Sequence, residues 1–347
     1  MEYSAMPSTD MPLEPAPSGS QLTEIIAALQ GGRTFLLTAH SRPDGDAIGS
    51  IAGLARSLRK AGKSVDIILR DPPPENFRFL LQDEQMYTPE NLPRAYDAII
   101  VLDSSTLSFT GYQDFLSESS FLLIDIDHHS SNELYGDLNF LDRGACSTCE
   151  MVLHLIRQAG FPLDPEVAEP LFLGLMTDTR FFQNENMRAS AYHTGGLLVE
   201  TGLKTAEILS RLNRSRKLPE LRLLGLGLSR FQLHQNGKMA SLVLSSDDLA
   251  ACGARLEHVW SCGLFSQPIA LEGVIVGVTI LQDPAGKVFC EFRSNSGFDV
   301  KEIAVSFGGG GHLAASGCNR EGPLAEMSRE VIDRVESSLT AWLKRSA

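Results

Sequence analysis

Residues 38–50 read T-A-H-S-R-P-D-G-D-A-I-G-S and follow a short apolar run, Phe35-Leu36-Leu37, with the character of a buried strand. Within seven residues the stretch places His40, Asp44 and Asp46, separated by Arg42, Pro43 and Gly45. Proline fixes one backbone angle and glycine adopts angles closed to other residues, so the chain turns tightly here and is not helical. Three potential ligands therefore leave one loop in close quarters. After Asp46 the chain reads A-I-G-S-I-A-G-L-A-R-S-L, the pattern of an amphipathic helix rich in small residues. Carboxylates near its start suit the positive end of the helix dipole. A strand-to-helix turn of this kind belongs at the carboxyl edge of a parallel sheet, where open α/β folds bind ligands. The stretch predicts a metal site whose remaining ligands lie elsewhere in the chain.

Outward from it the same device recurs. Residues 97–102 (D-A-I-I-V-L) are a buried-strand signal closing on Asp103-Ser104-Ser105, and 121–126 repeats it, closing on Asp127-His128-His129. A helical stretch at 165–176 runs into Thr177-Asp178-Thr179. Each cluster follows an apolar segment and is expected where a sheet presents its carboxyl end. Taken singly, an aspartate after a strand is most often a turn or helix cap, and adjacent histidines are more often packed or hydrogen-bonded than ligands. Four such clusters in one α/β domain are hard to attribute to capping. The donors are aspartate oxygen and imidazole without thiolate, which favours manganese, with magnesium next and zinc or cobalt less suited. Six candidate ligands exceed what one ion needs beside water and substrate. Two ions roughly 3.5–4 Å apart, sharing one carboxylate, would use them, acidify a bridging water and clamp a phosphoryl group. The implied reaction is hydrolysis of a phosphoester or phosphoanhydride.

Strands at 34–39, 64–69, 97–102 and 121–126 alternate with helices at 22–29, 47–61, 147–160 and 165–176, with a short helix at 77–81. The alternation predicts an α/β domain: a parallel sheet with helices on both faces. Helices at 189–201 and 205–213 lead to a basic stretch, R-L-N-R-S-R-K at 211–217, and a leucine-rich helix to about 228. From 238 onward the runs M-A-S-L-V-L, L-E-G-V-I-V-G-V-T-I-L and V-F-C-E-F-R-S suggest antiparallel strands, and 323–344 a terminal helix. The expected division is a disordered Pro/Ser-rich tail at 1–20, a metal-binding catalytic domain at 21–213, a linker helix at 214–228 and a smaller mixed α/β domain at 229–345.

The second domain contains Phe307-Gly308-Gly309-Gly310-Gly311-His312. Such a run is either a flexible connector or a loop whose amides approach an anion. An apolar segment before it and His312 after it favour the anion loop. Arg293, ending a strand, is a candidate to grip a phosphate or stack on a base, although a lone strand-end arginine is usually a surface residue.

Across 347 residues, 43% hydrophobic content allows sizeable cores, and a formal charge of -13 argues against sequence-blind binding of long nucleic acid. Six cysteines do not form a secreted disulfide pattern. Cys146 and Cys149 are the one C-x-x-C, read as small-residue packing beside a helix start where Ser147 and Glu150 have capping-box spacing. The first twenty residues have no signal-peptide character, and no run approaches a membrane span. A cytoplasmic protein without membrane attachment is expected, and a homodimer is compatible with the sequence.

The segments H-S-R-P-D-G-D-A-I-G-S, V-L-D-S-S, D-I-D-H-H-S-S-N and M-T-D-T resemble the four motifs of the DHH phosphoesterase superfamily, and F-R-S and G-G-G-G-H its DHH-associated carboxyl-terminal domain. The resemblance covers nearly all of residues 21–345 and is nearest to the two-domain nanoRNase and pAp-phosphatase group, also called bifunctional oligoribonuclease. It implies that the active site lies in the cleft between the domains. It implies one ion held by His40, Asp44 and Asp103 and another by Asp46, Asp103, His128 and Asp178, with Asp103 as the bridge. Asp127 would support the site, and His129 would lie near the attacked phosphate. Arg293, Ser294, Gly309, Gly310, Gly311 and His312 would bind substrate. One departure is Arg180, where many relatives have glycine in D-T-G-x-F; its guanidinium either contacts a substrate phosphate or turns outward to an acidic neighbour. The implied activity is Mn2+-dependent hydrolysis, with Mg2+ or Co2+ as substitutes, of single-stranded RNA of two to five nucleotides and of 3′-phosphoadenosine 5′-phosphate (pAp). The alternative is cyclic or linear dinucleotides such as pApA. Family II inorganic pyrophosphatases share the metal motifs but lack the F-R-S and G-G-G-G-H pair. Superfamily exonucleases on single-stranded DNA carry further modules, and membrane-bound cyclic-dinucleotide esterases need spanning helices. A catalytically silent nucleotide sensor would lack ligands, and none is missing.

Overall fold

The computed structural model describes residues 21–118, 120–184, 187–213 and 216–346, so the expected tail at 1–20 lies outside the described residues. The chain forms two compact units, the first ending at Arg214 and the second starting at Ser215.

In the first unit, β1 (Thr34–Ala39), β2 (Ser64–Ile68), β3 (Met86–Tyr87), β4 (Ala98–Leu102), β5 (Leu122–Asp127) and β6 (Leu138–Leu141) form one parallel sheet in the order β3-β2-β1-β4-β5-β6. Its helices are α1 (Leu22–Gly31), α2 (Gly45–Lys60), α3 (Gln113–Glu118), α4 (Thr148–Gln158), α5 (Pro165–Asp178), α6 (Ala189–Glu200) and α7 (Thr205–Asn213). The sheet grows from β1 towards β3, then resumes at β4 on the other side of β1. The loops after β1 and β4 therefore diverge, and this reversal is where ligands bind in open α/β sheets. Both faces are covered, which is why the strands read as unbroken apolar runs. Phe35, Leu37, Ile100 and Ile126 pack with α1, α2 and α4, while Leu36, Ile99, Val101 and Leu123 pack on the other face with Leu116 of α3. Each fully buried Leu or Ile of this kind contributes about 1.5–3 kcal/mol.

Helix α2 is capped by the Asp44 side chain and ends with Arg59 and Lys60, charges that suit its two poles. Its glycines let α5 and α4 approach. A Cβ on Gly49 would lie 2.5 Å from the Pro170 carbonyl, and one on Gly174 of α5 would lie 2.2 Å from Cys149 Sγ. Cys146 and Cys149 are both buried, as small-residue packing requires.

The second unit holds β7 (Gln232–His234), β8 (Met239–Leu244), β9 (Val276–Gln282), β10 (Lys287–Ser294), β11 (Gly310–His312) and β12 (Ala315–Glu321), ordered β11-β12-β10-β9-β8-β7. Helices α8 (Leu218–Ser229), α9 (Ser246–Ala251), α10 (Leu256–Ser261), α11 (Lys301–Ser306) and α12 (Leu324–Ser346) accompany it. The expectation of antiparallel strands needs one correction: β8 and β9 run parallel. The connection between them contains α9 and α10, long enough for the crossover that parallel strands need. Among the described residues no helix is long and apolar enough to cross a membrane.

Candidate metal centre and active site

His40, Asp103 and Asp127 stand at the carboxyl ends of β1, β4 and β5, three neighbouring strands on one sheet edge. The His40 ring presents Nδ1 to the Ser41 carbonyl at 2.8 Å, which leaves Nε2 for the centre. Asp44 is cap and candidate ligand at once: Oδ1 accepts the Asp46 and Ala47 amides at 3.0 and 3.1 Å, while the side chain stays largely exposed. Asp46 is buried, and its two oxygens accept the amides of Thr148 and Cys149 at 2.5 and 2.9 Å. The start of α4 therefore anchors a carboxylate carried by the start of α2.

Asp103 has a left-handed backbone, φ 58°, at a cost of roughly 1–2 kcal/mol. Its Oδ2 lies 3.7 Å from His40 Nε2 and its Oδ1 3.7 Å from His128 Nε2, and the Thr148 hydroxyl donates to Oδ1 at 3.0 Å. His128 turns Nδ1 to the Ala145 carbonyl at 3.2 Å, so its Nε2 also faces Asp46 and Asp178, at 3.9 and 3.7 Å. Two of the trios brought together are His40/Asp44/Asp103 and Asp46/His128/Asp178, the ligand atoms of each lying within 4.8 Å of one another.

Asp127 is fully buried. Its Oδ1 accepts the His128 amide and His129 Nδ1–H at 2.9 and 2.6 Å, and its Oδ2 accepts Asn132 Nδ2–H at 2.8 Å. His129 remains partly exposed, with Nδ1 committed to Asp127. Two further residues brace the carboxylates: Asn132 donates to Asp127 and Thr148 to Asp103. Asn132 stands inside D-I-D-H-H-S-S-N, but Thr148 gives no signal beyond its place at a helix start.

Electrostatically the cluster calls for cations. Burial, then the charges of Asp103, Asp178 and Asp44, push the Asp46 carboxyl well above the usual range. Asp103 is pushed up to about 6 by burial and by Asp44, against the pull of His128, His129 and His40. His40 is pushed up to about 9: burial opposes this, but the Asp44 carboxylate 3.9 Å away and the charge of Asp103 outweigh it. Four carboxylates and the Nε2 atoms of two oriented imidazoles fit hard or borderline divalent ions, which would relieve the carboxylate repulsion.

Asp178 does not follow a strand. It is the last residue of α5, whose end reaches the sheet edge from the side. The chain then passes through three successive left-handed residues, Arg180, Phe181 and Phe182, with φ 49°, 59° and 62°. Burial, helped by Asp44, holds the Asp178 carboxyl above its usual range against the pull of His128, His129 and, least, the exposed Arg180.

In the second unit, Arg293 donates to the Glu291 carboxylate and the Phe292 carbonyl, at 3.0 and 2.9 Å. The Ser294 hydroxyl donates inward to the Phe298 carbonyl at 2.6 Å, so this side chain braces the turn after β10. The glycine run is not a loop throughout. Gly308, φ 77°, ends α11, and Gly310–His312 pair with β12 as an edge strand. Gly309 passes so close to β12 that a Cβ would lie 2.1 Å from the Gly317 carbonyl. His312 is exposed.

The profile described as the DHH family, N-terminal domain, matches residues 34–175. The chain is 32% identical to the bifunctional oligoribonuclease and PAP phosphatase NrnA of Thermus thermophilus, over 92% of this chain and 94% of that protein. An exopolyphosphatase-related protein of Bacteroides fragilis has the same fold, with a TM-score of 0.84 at 24% identity over 92% of this chain and 96% of that one. RecJ of Thermus thermophilus in complex with Mn2+ is more distant in fold, with a TM-score of 0.53 at 17% identity over 94% of this chain and 56% of that one.

Proposed function

The chain belongs to the DHH phosphoesterase family, as a hydrolase of phosphoester bonds, and from that premise we propose that it hydrolyses short single-stranded RNA and pAp at a two-metal centre. The observation that carries the metal reading is Asp103, whose two oxygens address His40 and His128 on opposite sides. His40, Asp44 and Asp103 would hold one ion, and Asp46, Asp103, His128 and Asp178 the other. Manganese suits this oxygen and imidazole set, with Mg2+ or Co2+ as substitutes. When bound, the ions supply Lewis acidity towards water and phosphoryl oxygen.

The chain's own residues do the rest. Carbonyl partners at Nδ1 hold His40 and His128 in the tautomer that offers Nε2. Asp127 fixes His129 with its proton on Nδ1, leaving Nε2 to take up or deliver a proton at the phosphate under attack. Arg180 supplies positive charge beside Asp178. Arg293 and His312 hold the remainder of the nucleotide, with Gly310 and Gly311 beside it; the Gly309 amide donates to the Ala304 carbonyl at 2.8 Å and is not available to an anion. For Arg293 this requires exchanging its bond to Glu291 for one to the substrate. The curated relative's name, oligoribonuclease and PAP phosphatase, supports the substrate class. The net charge of -13 supports short ligands over long nucleic acid, and a cytoplasmic setting is part of this reading.

The test is side-by-side turnover of pAp, RNA of two to five nucleotides, pApA, cyclic di-AMP and pyrophosphate with Mn2+. Turnover led by pAp and short RNA is expected. Strong pyrophosphate hydrolysis without nucleotide turnover would overturn the choice, and dominance of cyclic di-AMP or pApA would replace the substrate class.

A further inference from the structure

Three aromatic side chains are exposed among the described residues of the first unit: Phe109, Phe181 and Tyr192. Two of these are linked through the turn that follows Asp178: Phe181 lies on it, and Tyr192 stacks on the next residue, Phe182. Phe181 follows Asp178 by three residues and is 40% exposed on the left-handed turn. The next residue, Phe182, packs against the core and lies on the α6 backbone, where a Cβ on Gly195 would come within 3.1 Å of its ring. The other partner of Phe182 is Tyr192 of α6, stacked with ring centroids 4.7 Å apart and planes at 20°. Tyr192 is nonetheless 55% exposed, so it offers an open surface. A left-handed backbone at three non-glycine residues is unfavourable, and here its effect is to hold Phe181 outward beside Arg180 and to seat Phe182 beneath Tyr192.

An acidic chain cannot hold RNA by charge alone, whereas every base has a π-face that stacks on an exposed ring whatever the sequence. We propose that Phe181 and Tyr192 form a base-stacking platform for the nucleotides next to the scissile phosphate, flanked by Arg180 as the cation for their backbone. This rests on the reading of the protein as a hydrolase of short RNA. It assigns the grip on that RNA to Phe181, at the unspecified position of the D-T-G-x-F pattern, and to Tyr192 of α6, which lies outside every motif.

The experiment is steady-state kinetics of the full chain and of Phe181→Ala, Tyr192→Ala and Tyr192→Phe. The substrates are pAp, a five-nucleotide RNA and the same RNA with abasic riboses behind the terminal nucleotide. Tyr192→Ala and Phe181→Ala are expected to raise KM for the intact RNA about tenfold, with kcat little changed, while Tyr192→Phe behaves as wild type. On the abasic RNA, wild type and alanine variants should be indistinguishable. An equal rise in KM on intact and abasic RNA would mean a structural defect and overturn the platform. Unchanged KM in both alanine variants, with wild type active on RNA, would overturn the platform alone. A wild-type chain that cleaves pAp and no RNA would overturn both the platform and the RNA half of the proposed function.

Discussion

His129 Nδ1 lies 2.6 Å from Oδ1 of Asp127, a carboxylate so buried that none of its surface meets solvent. Asn132 and the His128 amide also donate to Asp127, and in the proposed mechanism this carboxylate serves by orienting His129. Replacing one oxygen by an amide group in Asp127→Asn removes an acceptor and disturbs the His129 tautomer. We expect kcat to fall about 10–100-fold with KM nearly constant. Kinetics across pH would check this, and an unchanged kcat would exclude the orienting role.

The metal-free protein should lose stability as pH rises. A carboxyl with a raised folded pKa favours the fold while protonated, so the contribution of Asp103 is present at acid pH and lost as pH climbs through about 6. His40, raised from 6.5 to about 9, contributes fully below its ordinary value and loses that contribution on the way to about 9. In EDTA, Tm should therefore be lower near pH 8.5 than near pH 5.5. Added Mn2+ should raise Tm more at the higher pH, because bound ligands must be deprotonated. Equal Mn2+ shifts at both pH values would contradict the cluster's role as a cation site.

Gly174→Ala tests the packing that brings Asp46 and Asp178 to one place. The new methyl would meet Cys149 Sγ at 2.2 Å in a filled core, an overpacking that costs about 1–3 kcal/mol. Cys149→Ala in the same chain makes room and should restore part of the loss. Denaturant melts of the single and double variants measure both. A Gly174→Ala chain as stable as wild type would show that α4 and α5 have slack there.

Much of the site was legible because strands and ligands share one grammar. An apolar run long enough to cross a covered sheet, then an aspartate or histidine, located β1, β4 and β5 within a residue or so. Asp44 bears out the bland reading, since its carboxylate caps α2 while also facing His40. Asp178 escaped the rule because an apolar helix end delivers a side chain to the sheet edge as well as a strand does. Thr148, which donates to Asp103 across 45 positions of sequence, is a contact that local pattern cannot carry. The same holds for the parallel pairing of β8 with β9. Alternation within a strand reports its buried face, whereas direction depends on how the intervening chain returns. The two-residue β3 is too short to leave a periodic signal.

The central claim is that Asp103 serves two ions at once, and Asp103→Ala tests it most directly. Calorimetric titration with Mn2+, alongside turnover of pAp and a dinucleotide, should give two ions per wild-type chain. The variant should show weakened binding at both sites and turnover lower by about three orders of magnitude, the several kcal/mol that metal ions contribute. A variant that keeps turnover within about tenfold of wild type, or loses one ion while the other binds unchanged, would contradict a shared Asp103.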